Sequence, residues 1–299
     1  MNSSPKVLVY GATGAQGNPV VMQLLQKGYS VRILVRNPDK AKALFPTEVE
    51  IVKGALEDFD SLKRANEGIE RVFLHLPLEY RSDAATSQGR NAIDAAHEAG
   101  ISLVVFNTST FIPKEPTDVA AFEIKRNVEQ YLQTSRIPNI VLRPHIYIDN
   151  LAAPWSASAI VQGIVSYPLP ANIKVSWISL QDAAALAVAA LERSQLAGAA
   201  FEIGGPETLT GAEIAERFEH VLGRSFSYQA IPLDDFEQGL NQAFGEPTGT
   251  EIAKIYRWRA THPEIERVDM TDVLQKLPVQ LTLLEQWIGQ IPWNELAGA

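Results

Sequence analysis

The chain has 299 residues, 26 of them lysine or arginine against 35 aspartates and glutamates, for a formal charge of −9, and it has no cysteine. At this length folding buries about three quarters of the unfolded surface, so no covalent staple is needed, and 46% hydrophobic and 20% charged residues are ordinary for a globular chain. Disulfides, thiolate catalysis and cysteine-ligated zinc are excluded, and the acidic balance makes nucleic acid and anionic membranes poor partners.

Met1-Asn2-Ser3-Ser4-Pro5 runs straight into a strand pattern, so no signal peptide is expected. No apolar run reaches the roughly 18 residues of a membrane helix. With the missing cysteines this reads as a cytoplasmic protein. Strand patterns at Lys6–Tyr10, Val31–Val35, Val49–Lys53, Val72–Leu76, Leu103–Asn107 and Ile140–Arg143 alternate with helical ones at Val20–Lys27, Pro38–Phe45, Phe59–Asn66, Ala84–Glu98 and Val119–Thr134. Such βαβ spacing predicts an α/β fold, a doubly wound parallel (Rossmann) sheet with ligands at the carboxyl ends of its strands. Beyond it, Val175–Ile178 and Ala200–Ile203 read as strands. Capping boxes are expected at Ser179/Asp182, Thr210/Glu213 and Thr282/Glu285. Pro232–Pro263 reads as loops and short helices. The expected organisation is a Rossmann domain over residues 1–150, its sheet completed from about 173–204, and a smaller C-terminal substrate lobe over 151–299.

The first strand leads into Gly11-Ala12-Thr13-Gly14-Ala15-Gln16-Gly17 and then a helix. Strand before and helix after give the G-x-x-G-x-x-G pattern its meaning. The first glycine permits a tight turn, the second lets a pyrophosphate approach the backbone, and the third lets helix and strand pack closely. Helix amides then favour the negative charge. The second strand ends on Arg36 rather than the carboxylate that usually accepts from an NAD ribose, and Lys40 follows four residues on. A guanidinium can pair bidentately with a ribose 2′-phosphate, so the expected cofactor is NADP(H).

These segments resemble the NmrA-like family of atypical short-chain dehydrogenases. The likeness extends through Phe122-Glu123-Ile124-Lys125, Val128-Glu129, Ile137-Pro138, Leu142-Arg143-Pro144 with Tyr147 and Asn150, Gly204-Gly205-Pro206-Glu207 with Thr210, and Leu281–Ile288. The resemblance implies the fold and the nucleotide. Some members are NAD(P)H-dependent reductases of quinones, triphenylmethane dyes or plant isoflavones; others bind NADP(H) with little turnover and act as redox sensors through a protein partner. Two expectations follow: an NADPH-dependent reductase of a small aromatic or quinone-like acceptor held in the cleft between the lobes, or an NADP(H)-responsive regulator. A homodimer or a protein partner stays open.

The Tyr-x-x-x-Lys pair of ordinary short-chain dehydrogenases is missing, since Ala121 stands four residues before Lys125. By resemblance Lys125 contacts the nicotinamide ribose and, in one branch, serves as the proton donor. Tyr147 is the other candidate donor, with His145 beside it. Thr108 and Ser109 follow the fifth strand, where hydroxyls can orient a substrate or cap a turn. His75 ends the fourth strand, where it faces the cofactor or fills a structural role. Ala55 replaces the acidic residue of the family's Gly-Asp pair, which leaves the adenine contact to Leu56. The five histidines, at 75, 97, 145, 220 and 262, show no metal-ligand spacing, and no G-x-S-x-G elbow or Walker lysine is present.

Overall fold

The computed structural model describes residues 5–77 and 79–296. Met1–Ser4, read above as the lead-in to the first strand, and the last three residues of the C-terminal lobe lie outside the described residues. The chain divides into two compact units, one of Met1–Arg143, Ala183–Glu202 and Gln275–Val279, the other of Pro144–Asp182, Ile203–Leu274 and Gln280–Ala299.

The first unit begins with β1 (Lys6–Val9), α1 (Gly17–Gln26), β2 (Ser30–Val35), α2 (Pro38–Leu44), β3 (Glu50–Lys53) and α3 (Phe59–Asn66). It continues with β4 (Arg71–His75), α4 (Ser82–Glu98), β5 (Leu103–Asn107), α5 (Ala120–Thr134) and β6 (Asn139–Pro144). The chain then forms β7 (Ile146–Tyr147), α6 (Pro154–Val161), β8 (Ile164–Tyr167) and β9 (Val175–Ile178) before α7 (Leu180–Leu191) and β10 (Ala200–Ile203). Seven strands make one sheet in the order β10-β6-β5-β4-β1-β2-β3, with parallel pairing. The order reverses between β1 and β4, the switch point at which doubly wound sheets hold ligands. Apolar residues alternate across the strands. Leu8, Leu34, Val72, Leu74, Phe106 and Val141 join α3, α4 and α5 in one buried cluster. On the opposite parity Val7, Val9, Ile33, Phe73 and Val105 are equally buried.

The second unit adds β11 (Thr208–Leu209), α8 (Gly211–Leu222), β12 (Ser227–Ala230), α9 (Leu233–Phe244), α10 (Thr248–Thr261), α11 (Thr271–Lys276), α12 (Leu284–Gln290) and α13 (Trp293–Leu296). Its core gathers Ile148, Val165, Trp177, Phe218, Trp287 and Trp293. Arg259 of α10 is 2% exposed and pairs with Glu266, 0% exposed, at 2.6 Å, while its other terminal nitrogen donates to the His145 carbonyl at 2.9 Å.

Three expectations need correction here. Val175–Ile178 does not complete the large sheet. As β9 it pairs parallel with β7 and antiparallel with β11, all four residues buried in the second unit; the last strand of the large sheet is β10 alone. Pro232–Pro263, read as loops and short helices, is mostly two helices of 12 and 14 residues packed on one another, with the Phe236 and Tyr256 rings 5.1 Å apart. Of the capping boxes only Thr210/Glu213 forms reciprocally. Ser179 Oγ does accept from the Asp182 amide, yet the Asp182 carboxylate turns to the Thr282 amide and hydroxyl at 2.9 and 2.8 Å. With Thr282 so engaged, α12 starts one residue later and the Leu283 amide donates to Gln286. No helix among the described residues is long and apolar enough to cross a membrane.

Candidate functional site

The Tyr10 amide donates to the Phe73 carbonyl, so the chain leaves β1 still tied to β4. Gly11 then adopts φ +72°, a left-handed conformation that a side chain would strain. The Gly14 amide donates back to the Gly11 carbonyl at 3.0 Å, and the Asn18 amide to the Gly14 carbonyl at 3.0 Å. Gly17 opens α1 directly against this turn. A Cβ there would overlap the Gly11 carbonyl and come within 2.8 Å of Ala12 Cα, so only glycine lets helix and turn pack this closely. Gln16 at the helix start makes no side-chain cap, and no acidic residue occupies the first turn of α1. The positive end of the helix is therefore unshielded by a carboxylate of its own, the arrangement that attracts phosphate.

The turn forms one wall of a cleft of about 540 Å³ in the first unit. Of the residues singled out from sequence, Gly11, Thr13, Gly14, Ala15, Gln16, Arg36, Leu56 and His75 line it. Gly17 lies under the turn rather than on the lining, where its part is packing. Arg36 is exposed at the end of β2 and makes no ion pair among the described residues. Lys40 does not line the cleft. Asn37 caps α2 by accepting from the Asp39 and Lys40 amides, and Lys40 stands exposed on that helix.

At the far ends of β4 and β5 the environment is drier. His75 Nδ1 is buried without a hydrogen-bond partner, and a Cβ on Gly11 would come 2.7 Å from it. Burial, helped by the nearby Lys125 charge, pushes the His75 imidazole down to about 3, so it is neutral at physiological pH. Lys125 on α5 is only 8% exposed, and burial lowers its ammonium to about 8. Thr108 is not free to face a ligand. Its hydroxyl is wholly buried and turned to the Thr110 and Leu142 carbonyls at 2.5 and 3.2 Å. Ser109 is the opposite case: its backbone is left-handed at φ 67°, held by its amide donating to Asn107 Oδ1 at 2.8 Å, and its buried hydroxyl has no partner. Strain of about 1–3 kcal/mol at such a residue is concentrated at functional sites. Tyr147 belongs to the second unit, in β7, and is buried.

The sequence reading missed Glu57, Pro77, Glu79, Arg81 and Gln88, all of which line the cleft. Arg81 clasps Glu79 at 2.6 Å and holds its carboxyl down to about 2. Gln88 had a readable signal. It falls between Ala85 and Ala92 on the apolar stripe of α4, a polar residue where the helical period calls for an apolar one.

A seven-stranded parallel sheet with a glycine turn at its switch point defines a Rossmann-type α/β protein. The chain belongs to the NmrA-like family, whose model matches residues 3–288. It is 31% identical to an NAD(P)H azoreductase of Xenophilus azovorans over 78% of this chain and 80% of that one. Its structure is similar to that of the Citrobacter sp. triphenylmethane reductase complexed with NADP(H), with a TM-score of 0.80 at 24% identity, covering 95% and 99% of the two chains. It is also similar to NmrA, a negative transcriptional regulator in complex with NADP, with a TM-score of 0.76 at 18% identity and 99% and 98% coverage.

Proposed function

We propose that the cleft binds NADP(H) and that the chain is an NADPH-dependent reductase of a small aromatic or quinone-like acceptor. The observation that carries this reading is the glycine turn, which opens the unshielded start of α1 into the same cleft as the unpaired Arg36. Pyrophosphate meets backbone donors at the turn, and Arg36 pairs with the ribose 2′-phosphate. A hydrogen bond to a charged group contributes roughly 1.5–3 kcal/mol, about ten- to a hundredfold in affinity. When bound, NADPH supplies a hydride, which the acceptor takes up together with one proton.

Lys125 donates that proton. An ordinary lysine holds its proton too tightly, whereas one lowered to about 8 releases it near physiological pH. Ser109, not Thr108, offers the hydroxyl that orients the acceptor oxygen, because Thr108 is committed to two carbonyls. The neutral His75 packs the turn without adding charge. Relatives that bind or use NADP(H) support the cofactor reading.

The test has two stages. NADPH and NADH are titrated by fluorescence and thermal shift; NADPH oxidation is then followed with a panel of quinones, azo dyes and triarylmethane dyes. NADPH should bind at least about tenfold more tightly than NADH, and at least one acceptor should turn over repeatedly. No nucleotide binding would end the proposal. Tight binding with no turnover on any acceptor would instead favour an NADP(H)-responsive regulator, the reading to which the missing tyrosine at Ala121 points. Loss of turnover in Tyr147→Phe but not in Lys125→Met would transfer the proton to the other donor the sequence offers.

A further inference from the structure

The loop after β3 is braced from two sides. Ser61 Oγ accepts from the Ala55 amide at 3.2 Å and donates to the Asp58 carbonyl at 2.7 Å, and Asn91 Nδ2 of α4 donates to the Leu56 carbonyl at 2.9 Å. The cleft side of this loop presents Ala55, whose methyl group forms no hydrogen bond, and Leu56, which packs against the core. Glu57 follows, and it also lines the cleft.

Gln88 lines the same cleft from α4 and is only 7% exposed. Its Nε2 donates to the Glu57 carboxylate, while its Oε1 is buried with no partner. The amide cannot be turned round at no cost. A carboxylate only accepts, so the Nε2 face must meet Glu57 and the oxygen is left over. A buried acceptor without a donor is a standing penalty that an arriving N–H group relieves.

We propose that Gln88 is the residue by which this cleft reads the purine of its dinucleotide. Its Oε1 accepts from the exocyclic amino group of adenine, Leu56 packs the apolar face of the base, and Glu57 is a positioning residue that fixes which end of the amide points inward. The acceptor that Ala55 lacks is thus supplied from α4. This inference rests on the cofactor reading above and adds a consequence that the reading does not contain. A dinucleotide with a 6-oxo purine places an acceptor against an acceptor, and it is rejected.

The experiment compares binding of NADPH with binding of reduced nicotinamide hypoxanthine dinucleotide phosphate, in which oxygen replaces the 6-amino group and the adjacent ring nitrogen carries a hydrogen. Dissociation constants are measured by fluorescence for the wild type and for Gln88→Met, Gln88→Ala, Glu57→Gln and Arg36→Ala. The wild type should prefer NADPH by about 10- to 100-fold. Both Gln88 variants should bring the two dinucleotides within about threefold, mainly by weakening NADPH; the methionine keeps the volume should the alanine fail to fold. Glu57→Gln should narrow the preference in the other way, by tightening the 6-oxo analogue, because a neutral partner can donate and lets the Gln88 amide turn. A merely structural Glu57 would weaken both alike. Arg36→Ala should weaken both and leave their ratio unchanged. Equal binding of the two dinucleotides to the wild type, or an unchanged preference in the Gln88 variants, overturns the assignment of Gln88 while leaving the cofactor site standing. Failure of both dinucleotides to bind removes the cofactor reading itself and this inference with it.

Discussion

Lys125 is a residue whose surroundings oppose its charge. Burial lowers it from 10.5 to about 8, so the folded chain holds this proton less tightly than the unfolded one. By linkage the penalty is fully present below about pH 8 and fades as pH rises towards 10.5; it amounts to about 3 kcal/mol. Lys125→Met should therefore stabilise the ligand-free protein at pH 7 by on the order of 1–3 kcal/mol in urea unfolding, and the gain should vanish near pH 10.5. The same variant should lose turnover, and wild-type kcat should fall as pH passes upward through about 8. A less stable Lys125→Met at pH 7 would refute the burial account. In the cleft, Arg36→Glu should invert the NADPH-over-NADH preference, as competitive titration would show. The place of Arg36 and the shape of the glycine turn were legible in the sequence because both are set by immediate neighbours. Thr108 and Ser109 were not distinguishable there, since only the backbone at the end of β5 decides which hydroxyl turns inward. Gln88 is legible only as a polar residue on an apolar stripe; its partner Glu57 is not, until α4 lies beside the β3 loop.

Among elements, the regular βαβ run was readable strand by strand because each apolar run is bounded by a helix of matching length. The length and pairing of α9 and α10 were not, although short helices were expected there. Gly239, Gly245, Pro247 and Gly249 weaken the local helical signal, and the two helices are held by each other's faces rather than by propensity. The Thr282/Glu285 box failed for the same kind of reason: Asp182, distant in sequence, engages Thr282 first. Two substitutions test this level. Thr210→Ala removes the reciprocal cap of α8 and should cost about 1 kcal/mol in urea unfolding. Glu266→Gln leaves the Arg259 guanidinium buried beside a neutral partner and should cost about 3–5 kcal/mol, whereas the double variant Arg259→Met/Glu266→Leu should recover most of that loss. Equal losses in the single and double variants would show that the pair matters through packing rather than charge.

For the molecule as a whole, the fold class followed from alternation alone, while membership of the sheets did not. β9 and β10 look alike as short apolar runs, yet one belongs to the small sheet and the other to the large. The first unit is assembled from three stretches of chain, and its edge strand β10 is separated from β6 by most of a second-unit segment. During synthesis the carboxyl-terminal neighbour of β6 emerges late. Until it does, the nascent sheet shows the ribosome exit a row of unpaired amides and carbonyls flanked by Ile140 and Leu142, the kind of edge that recruits other chains. A fragment ending at Arg143 should accordingly self-associate more than the full chain on size exclusion. Production of this protein in cells would then depend on holdase chaperones that shelter one strand while the ribosome is still making its neighbour.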